Sequence, residues 1–543
     1  MWMVRPSCLL VARRIAGYSR CLSCNACGVD LQKQDPTGKG YYIQPSKHET
    51  NFQKEIEAVK YMLFSQDIQV LKDAGKTQSQ KEEHSLICKR CNDALHHNKY
   101  DLRDFPRTSI PQLYESIPLG GKLLHVVPFS EFPLGLSKKV LTDRKHDASL
   151  LLTKSDQVLS SKGTLSKYVP QFLQDFMKYQ MGLTTNKTIA MSSLRNWNIE
   201  LLNASLRKMT FLFGCANAGK STLINTLSKK YTGHKVNFHK QGNLLAIDED
   251  VKNSTKSQMA GVSHIPNMTR ALQGYQIQDK VIFDLPGYTE DMDAAYLEQI
   301  VRKDWIKRVR DTALFKHERL KKKNYVTLKG TEQGSCYTLG GLFFIVPPKG
   351  TINQIVNYIP GEYSIYRNID KALEVFKNCN ANSNHALDKY CGILSSTCTK
   401  EAYIRHIIPP FRGSIEIVFK DIGYVLLRTT GKFDFMGFHE VWAPRGIKVI
   451  IREPLEKTIR ASSELYIQSK GVQPACPTDR MFFSSTYEIP FGETDILSKM
   501  KEMYLERTRG KKNCVEIGNE DPFIIIERYK ANTLTNPFWY YNF

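Results

Sequence analysis

The stretch Phe211-Leu-Phe-Gly-Cys-Ala-Asn-Ala-Gly-Lys-Ser-Thr222 decides the reading of this chain. Gly214, Gly219, Lys220 and Ser221 fit the spacing G-x-x-x-x-G-K-[ST] of a phosphate-binding loop. The apolar run Met209-Thr-Phe-Leu-Phe213 before it reads as a buried strand. Leu223-Ile-Asn-Thr-Leu227 after it suits the start of a helix. Strand, loop and helix in that order aim backbone N–H groups and a helix N-terminus at phosphates. Lys220 then supplies a cation and Ser221 a magnesium ligand, while Asn217, Ala218 and Thr222 complete the loop. A bland glycine-rich turn has no need of that context.

Downstream, Lys280-Val-Ile-Phe-Asp-Leu-Pro-Gly287 is an apolar strand ending in Asp284, with Gly287 three residues on. In a GTPase such an Asp holds magnesium through a water and the Gly amide meets the γ-phosphate. Thr269, in Ser263-His-Ile-Pro-Asn-Met-Thr269, is the candidate for closing over the magnesium from switch I. The guanine-reading motif lies upstream instead, in Ala148-Ser-Leu-Leu-Leu-Thr-Lys-Ser-Asp156. Asp156 would accept protons from guanine N1 and N2, and the Lys154 stem would cover the base. Adenine has no matching donors, so the carboxylate would forgo charged hydrogen bonds of about 1.5–3 kcal/mol each. Thr153 stands where an Asn amide ordinarily ties the base loop to the phosphate loop, so the sequence predicts that this tie is lost, at about 1 kcal/mol. Ser192 and Ser193, in Thr188-Ile-Ala-Met-Ser-Ser-Leu194, would bring backbone to guanine O6. The order is base loop, base-edge loop, phosphate loop, switch I, switch II. It predicts an α/β fold built on a circularly permuted P-loop GTPase domain. Permutation is tolerable because chain ends commonly lie close together at the surface.

Thirteen cysteines occur, and two C-x-x-C pairs, Cys24/Cys27 and Cys88/Cys91, have the spacing of a structural zinc site. Cys21 allows Cys21/Cys24 as the first pair; Gly28 after Cys27 favours Cys24/Cys27. The polar stretch 49–81 between the knuckles reads as a helical insertion. Residues 1–20 carry Arg5, Arg13, Arg14 and Arg20 among Leu9, Leu10, Val11 and Ile15, with no acidic residue before Asp30. That pattern suits a mitochondrial presequence, with an unstructured tail as the alternative. No run approaches the ~18 apolar residues of a membrane span.

The net charge is +22, from 76 Lys and Arg against 54 Asp and Glu. Such a balance favours phosphate backbones or anionic lipid surfaces as partners. The runs 316–324 and 507–512 are local candidates for phosphate contact, or else solvated faces. The organisation expected is a presequence over 1–20, a zinc module over 21–104, and the GTPase domain over 112–305. A charged linker over 306–338 and a β-rich α+β domain over 339–543 follow. Residues 105–118 read as a linker and Leu123-Leu-His-Val-Val127 as the first sheet strand. In the last domain Ser414–Phe419, Tyr424-Val-Leu-Leu-Arg428 and Ile447-Lys-Val-Ile-Ile451 read as strands. Phe433, Phe435 and Phe438 would stack on bases or fill a core; the core is the simpler reading.

The permuted motif order, with Cys24-Asn-Ala-Cys27-Gly28, Asp35-Pro-Thr-Gly-Lys-Gly-Tyr-Tyr42 and Ile87-Cys-Lys-Arg-Cys91, resembles the YqeH family of circularly permuted GTPases. That family includes mitochondrial nitric-oxide-associated proteins; the fungal branch called genetic interactor of prohibitins is the most similar. The resemblance covers 21–300 well and is thinner beyond, where Leu339-Gly-Gly-Leu342 is similar to the start of the family's last domain. It implies a GTPase using GTP and Mg2+, with structural Zn2+, in the mitochondrial matrix. It implies a role in small-subunit ribosome assembly, with rRNA or a pre-ribosome as partner. Lys220, Thr269, Asp284 and Gly287 would then be the catalytic residues. It further implies slow hydrolysis, because Tyr288 stands where other GTPases carry a glutamine, and a K+ ion held by Asn217. The family has Pro-Gly-Thr-Thr in switch I, where this chain has Pro266-Asn-Met-Thr269. A GTP-responsive adaptor peripheral to the inner membrane and linked to prohibitins, and a scaffold that has lost hydrolysis, are the alternatives.

Overall fold

Runs of apolar residues with no polar face become strands buried on both sides. Strands β1 (Lys122–Pro128), β2 (Asp147–Thr153), β3 (Thr188–Ala190), β4 (Met209–Gly214), β5 (His234–Val236), β8 (Gln273–Ile277) and β9 (Lys280–Asp284) form one sheet, in the order β3-β2-β1-β4-β9-β8-β5. Its neighbours from β3 to β9 run parallel, while β8 and β5 join antiparallel. A separate hairpin pairs β6 (Phe238–Gln241) with β7 (Leu244–Ile247). Alternation divides the side chains between two cores. Leu123, Val127, Leu150, Leu152, Phe211, Phe213 and Phe283 enter one; Leu124, Val126, Leu151, Leu212 and Ile282 enter the other. Burial on both faces is the ordinary condition of parallel sheets.

The computed structural model describes residues 23–43, 86–118, 121–143, 145–184, 187–236, 238–241, 244–247, 260–263, 265–290, 292, 297–310, 325–382, 393–395, 399–408, 411, 413–430, 437–478, 482–489 and 498. They fall in two units, Met1–Tyr100 and Asp101–Phe543. The expected presequence, the insertion 49–81, Cys21, the basic runs 316–324 and 507–512, and Phe433 and Phe435 lie outside the described residues. Among the described residues no helix is long and apolar enough to cross a membrane.

In the first unit helix α1 (Lys89–His97) begins at Cys88, and a bridge between Ser23 and Asp30 closes the Cys24–Cys27 turn. In the second, α2 (Lys162–Tyr179) starts at Ser161, whose hydroxyl accepts from the Thr164 amide, as an N-cap should. Its Leu165, Val169, Phe172, Leu173 and Phe176 recur at helical spacing and cover one face of the sheet. The opposite face is packed by α3 (Ile199–Ser205) and α4 (Lys220–Tyr231) through Ile199, Leu202, Leu223, Ile224 and Leu227.

The downstream half is built from two antiparallel sheets. One has the order β10 (Tyr325–Lys329), β13 (Ile352–Asn357), β17 (Gly423–Thr430), β16 (Ser414–Phe419), β19 (Val449–Arg452), β20 (Phe483–Ser485). The other runs β14 (Tyr363–Tyr366), β11 (Cys336–Leu339), β12 (Phe344–Val346), β18 (His439–Pro444), β15 (Tyr403–Ile408), β21 (Tyr487–Ile489). Their inner faces share a core with Phe376 of helix α5 (Ile369–Asn382). Strand β10 lies inside the stretch read as linker, so this half begins its sheet before residue 339. Phe438 is buried, as a core residue. Helix α6 (Leu455–Gln468) packs Leu455 and Ile459 into the core that α2 also fills, so the two halves of this unit share one apolar interior.

Candidate functional site

Parallel neighbours deliver their following loops to the same edge of a sheet. The loops after β2, β3, β4 and β9 therefore emerge together, and these carry the residues singled out from sequence. After β2, Lys154 takes a left-handed conformation (φ 55°) and opens the short turn Ser155–Gln157. Asp156 is buried and its Oδ1 accepts the Ser192 hydroxyl at 2.5 Å; Ser192 Oγ in turn accepts the Arg195 amide at 3.1 Å. The base-loop and base-edge-loop residues are thus bonded to each other. Ser193, half-buried, lies against the Met191 sulfur.

After β4, the loop wraps closely. A Cβ on Gly214 would meet the Val126 carbonyl at 2.4 Å, and Gly219 holds φ +94°, so both positions require glycine. Asn217, at φ +58°, takes the left-handed conformation that asparagine tolerates. Lys220 Nζ donates to the carbonyls of Gly214 and Cys215, each at 2.9 Å, curling back over the loop. Burial lowers its ammonium pKa, with Asp284 opposing. Ala218 is buried, and Thr222 lies in the first turn of α4.

Thr153 corrects one expectation. Its hydroxyl donates to the Ala218 carbonyl at 2.6 Å, so the base loop is tied to the phosphate loop after all, by a threonine hydroxyl rather than an asparagine amide. The sequence reading missed this because it compared residue types at the donor position and not the reach of the hydroxyl to a backbone oxygen.

Ser221 and Thr269 converge on Asp284. The Ser221 hydroxyl donates to Asp284 Oδ2 at 2.7 Å, and the Thr269 side chain lies near enough to pull that carboxylate's pKa down. Burial raises the Asp284 pKa, against the pull of Lys220 and these hydroxyls. Among the described residues Asp284 Oδ1 and Asn217 Nδ2 are buried without a hydrogen-bond partner. Two hydroxyls and an orphaned carboxylate oxygen form the all-oxygen donor set that suits a hard cation such as Mg2+. For Asn217 the orphan is a donor nitrogen, which suits an anionic oxygen better than K+.

Gly287 approaches the phosphate loop so closely that a Cβ would lie 2.6 Å from Ala216 Cα. Tyr288, which occupies the position of the glutamine of other GTPases, is a core residue. It is 1% exposed, its ring lies 5.1 Å from Phe213, and its hydroxyl reaches the Gly135 carbonyl at 3.4 Å. Asn267, an apparent departure in switch I, sits at φ +56°, where asparagine is the natural substitute for glycine. Residues 105–109 are not a free linker: Thr108 bridges to Tyr288, the Thr289 amide donates to the Thr108 carbonyl, and Asn267 reaches the Phe105 carbonyl. No local signal marked that pairing.

In the first unit the Sγ atoms of Cys24, Cys27, Cys88 and Cys91 all lie within 4.8 Å of one another, and all four residues are buried. Gly28, at φ +79°, lets its amide turn back to the Cys24 carbonyl and shape the first knuckle. Cys88 and Cys91 open α1, whose N-terminus favours thiolates. Four buried thiols at that separation are compatible with a closed structural zinc site.

The fold and these clusters define a mixed α/β protein with a four-cysteine centre near its N-terminus. The chain matches "Genetic interactor of prohibitins 3 N-terminal domain" over residues 23–105 and "Genetic interactor of prohibitins 3, C-terminal domain" over 323–528. It is 47% identical over 534 residues to the protein "Genetic interactor of prohibitins 3, mitochondrial" of Zygosaccharomyces rouxii, covering 96% of this chain and 94% of that one. The Saccharomyces cerevisiae S288c protein of the same name is 45% identical over 535 residues, covering 96% of each. The chain belongs to the genetic interactor of prohibitins 3 family, and like its relatives it is mitochondrial. Among solved structures, GDP-bound YlqF matches with TM-score 0.20 and 18% identity, covering 34% of this chain and 58% of that one. GNP-bound YlqF from T. maritima matches with TM-score 0.21 and 17% identity, covering 33% and 58%.

Proposed function

We propose that this protein binds guanine nucleotide through a circularly permuted set of GTPase loops and hydrolyses GTP slowly. The observation that carries the reading is the set of hydrogen bonds that ties neighbouring loops together at both ends of the site. Asp156 accepts from Ser192, Thr153 donates to the Ala218 carbonyl, and Ser221 donates to Asp284, with Thr269 near the same carboxylate. In this reading Asp156 accepts the guanine N1 and N2 protons while Lys154 covers the base and Ser192 and Ser193 flank O6. Residues 214–222 wrap the phosphates with backbone N–H groups, Lys220 donates to the outer phosphates, and Gly287 meets the γ-phosphate. Ser221, Thr269 and Asp284 would hold magnesium, which when bound neutralises charge between the β- and γ-phosphates. The Tyr288 ring is packed into the core, so it does not orient water, and hydrolysis unaided should be no faster than the ~10⁻⁴ s⁻¹ of small GTPases. Asn217 as a potassium site rests on family resemblance; equal hydrolysis in Na+ and K+ buffers would remove it. Titration of fluorescent GTP and ATP tests the whole reading, with Lys220→Ala expected to abolish GTP binding and wild type expected to ignore ATP.

The partner assigned is small-subunit rRNA or a pre-ribosome, for which the +22 net charge is the support. A second reading, a GTP-responsive adaptor at the inner membrane linked to prohibitins, is favoured by the relatives' printed name. Co-sedimentation with small-subunit precursors in GTP selects the first. Binding to cardiolipin-containing liposomes but not to rRNA selects the second.

A further inference from the structure

The downstream β domain grips the nucleotide edge of the first sheet at several separate points. Arg452, fully buried at the end of β19, donates from Nε to Glu416 at 2.7 Å, and its Nη atoms reach the carbonyls of Phe129, Ser130 and Phe132. That places its guanidinium on the loop that leaves β1 between the base loop and the phosphate loop. Tyr424 Oη donates to the Gln157 carbonyl at 2.9 Å, one residue past Asp156. Between β16 and β17 a tight turn, residues 420–422, projects to the same edge. There the Asp421 amide donates to Glu131 Oε2 at 2.9 Å, and Lys420 Nζ lies 3.7 Å from Glu290 Oε2. Glu290 follows Gly287 by three residues, and Tyr288 between them bridges to Cys215 of the phosphate loop. Burial pulls the Lys420 ammonium pKa down, but Cys215, Asp421, Glu290 and Glu131 together hold it above the usual lysine range.

We propose that the β16–β17 turn is a cis-acting reader of switch II, with Lys420 as the positioning residue. Lys420 holds Glu290, and the neighbouring Asp421 holds Glu131, so one rigid turn spans the segment after Gly287 and the loop after β1. Because Gly287 is seated directly against Ala216, a displacement of Gly287 moves Glu290 relative to Lys420. Any ligand of the β domain that shifts the turn would then bias which nucleotide is held, and the nucleotide would reciprocally bias that ligand. This rests on the GTPase reading above.

The test is a charge-swap cycle on the full chain: Lys420→Glu, Glu290→Lys and the double variant, with Lys420→Gln as a neutral control. Both side chains are partly exposed, at 26% and 33%, and the neutral Lys420→Gln adds no carboxylate beside Asp421 and Glu131. The readout is the ratio of GTP to GDP affinity, with kcat and KM for GTP measured separately. Each single reversal should change the affinity ratio about fivefold or more, and the double variant should return it to within about twofold of wild type. Unchanged ratios in the single variants, or a double variant no better than the singles, would overturn the coupling and leave the GTPase reading standing. Wild-type protein that holds neither nucleotide would overturn both.

Discussion

The hydrogen bond from Thr153 to the Ala218 carbonyl is the most economical place to perturb the site, because Thr153→Val removes the donor and keeps the shape. Thr153 and Ala218 are each 2% exposed, so water cannot replace the lost proton. Leaving a buried carbonyl without this donor costs about 1–3 kcal/mol. The bond is internal to the fold and both its partners face inward, so the cost falls first on stability. At about 2–4 °C per kcal/mol for a domain of 150–250 residues, melting should drop by roughly 2–12 °C. GTP affinity should fall less, by no more than about tenfold, while the preference for guanine over adenine persists because Asp156 is untouched. Thr153→Ser keeps the donor and loses only a methyl, so it should sit between wild type and Val. Differential scanning fluorimetry and nucleotide titration on the three proteins decide the matter. A Val variant as stable as wild type would refute the idea that this hydroxyl joins the two loops.

Arg452→Met leaves Glu416 buried without its guanidinium and uncovers three carbonyls, so it should destabilise by about 3–5 kcal/mol, with Glu416→Gln added to it recovering part in chemical denaturation. His125 accepts the Ser137 amide at Nε2 and faces the Phe213 carbonyl at Nδ1, and burial pushes its pKa down to about 4. The unfolded chain therefore takes up that proton first: the stability contributed by neutral His125 is whole above about pH 6.5 and is lost as pH falls toward 4. His125→Leu should accordingly flatten the acid slope of unfolding free energy by up to about 1.4 kcal/mol per pH unit. Cys88→Ser should lower bound zinc from about one ion per chain toward none, measured by elemental analysis, and chelation should destabilise wild type but not the variant.

What could be read in advance followed from the range of each signal. The phosphate loop, the Asp284–Gly287 segment and the two cysteine pairs are contiguous patterns whose chemistry depends on spacing, so the chain displays them directly. Strands such as Ser414–Phe419 are apolar runs bounded by turns and were equally plain. Contacts made across the fold were not. Thr153 looked like a deficit because its partner is a backbone oxygen sixty-five residues away. Asn267 looked like a departure until its positive φ was known, and nothing local showed that the Tyr288 ring lies in the core. Arg452 did leave a trace, a charge closing the apolar run Val449-Ile-Ile, which marks a buried cation in need of partners. Lys420, Glu290 and Glu131 left none, since surface charges are common and only the folded turn brings them together.

The central claim is that Asp156 and Lys220 take opposite ends of one guanine nucleotide. An Asp156→Asn exchange tests it most directly, because an amide offers xanthine O2 a donor and denies guanine its acceptor pair. Titrating wild type and variant with fluorescent GTP and XTP should show wild type preferring GTP and the variant preferring XTP, each by about tenfold or more. If both proteins bind the two nucleotides alike, or wild type binds neither, Asp156 does not read a base and the account fails.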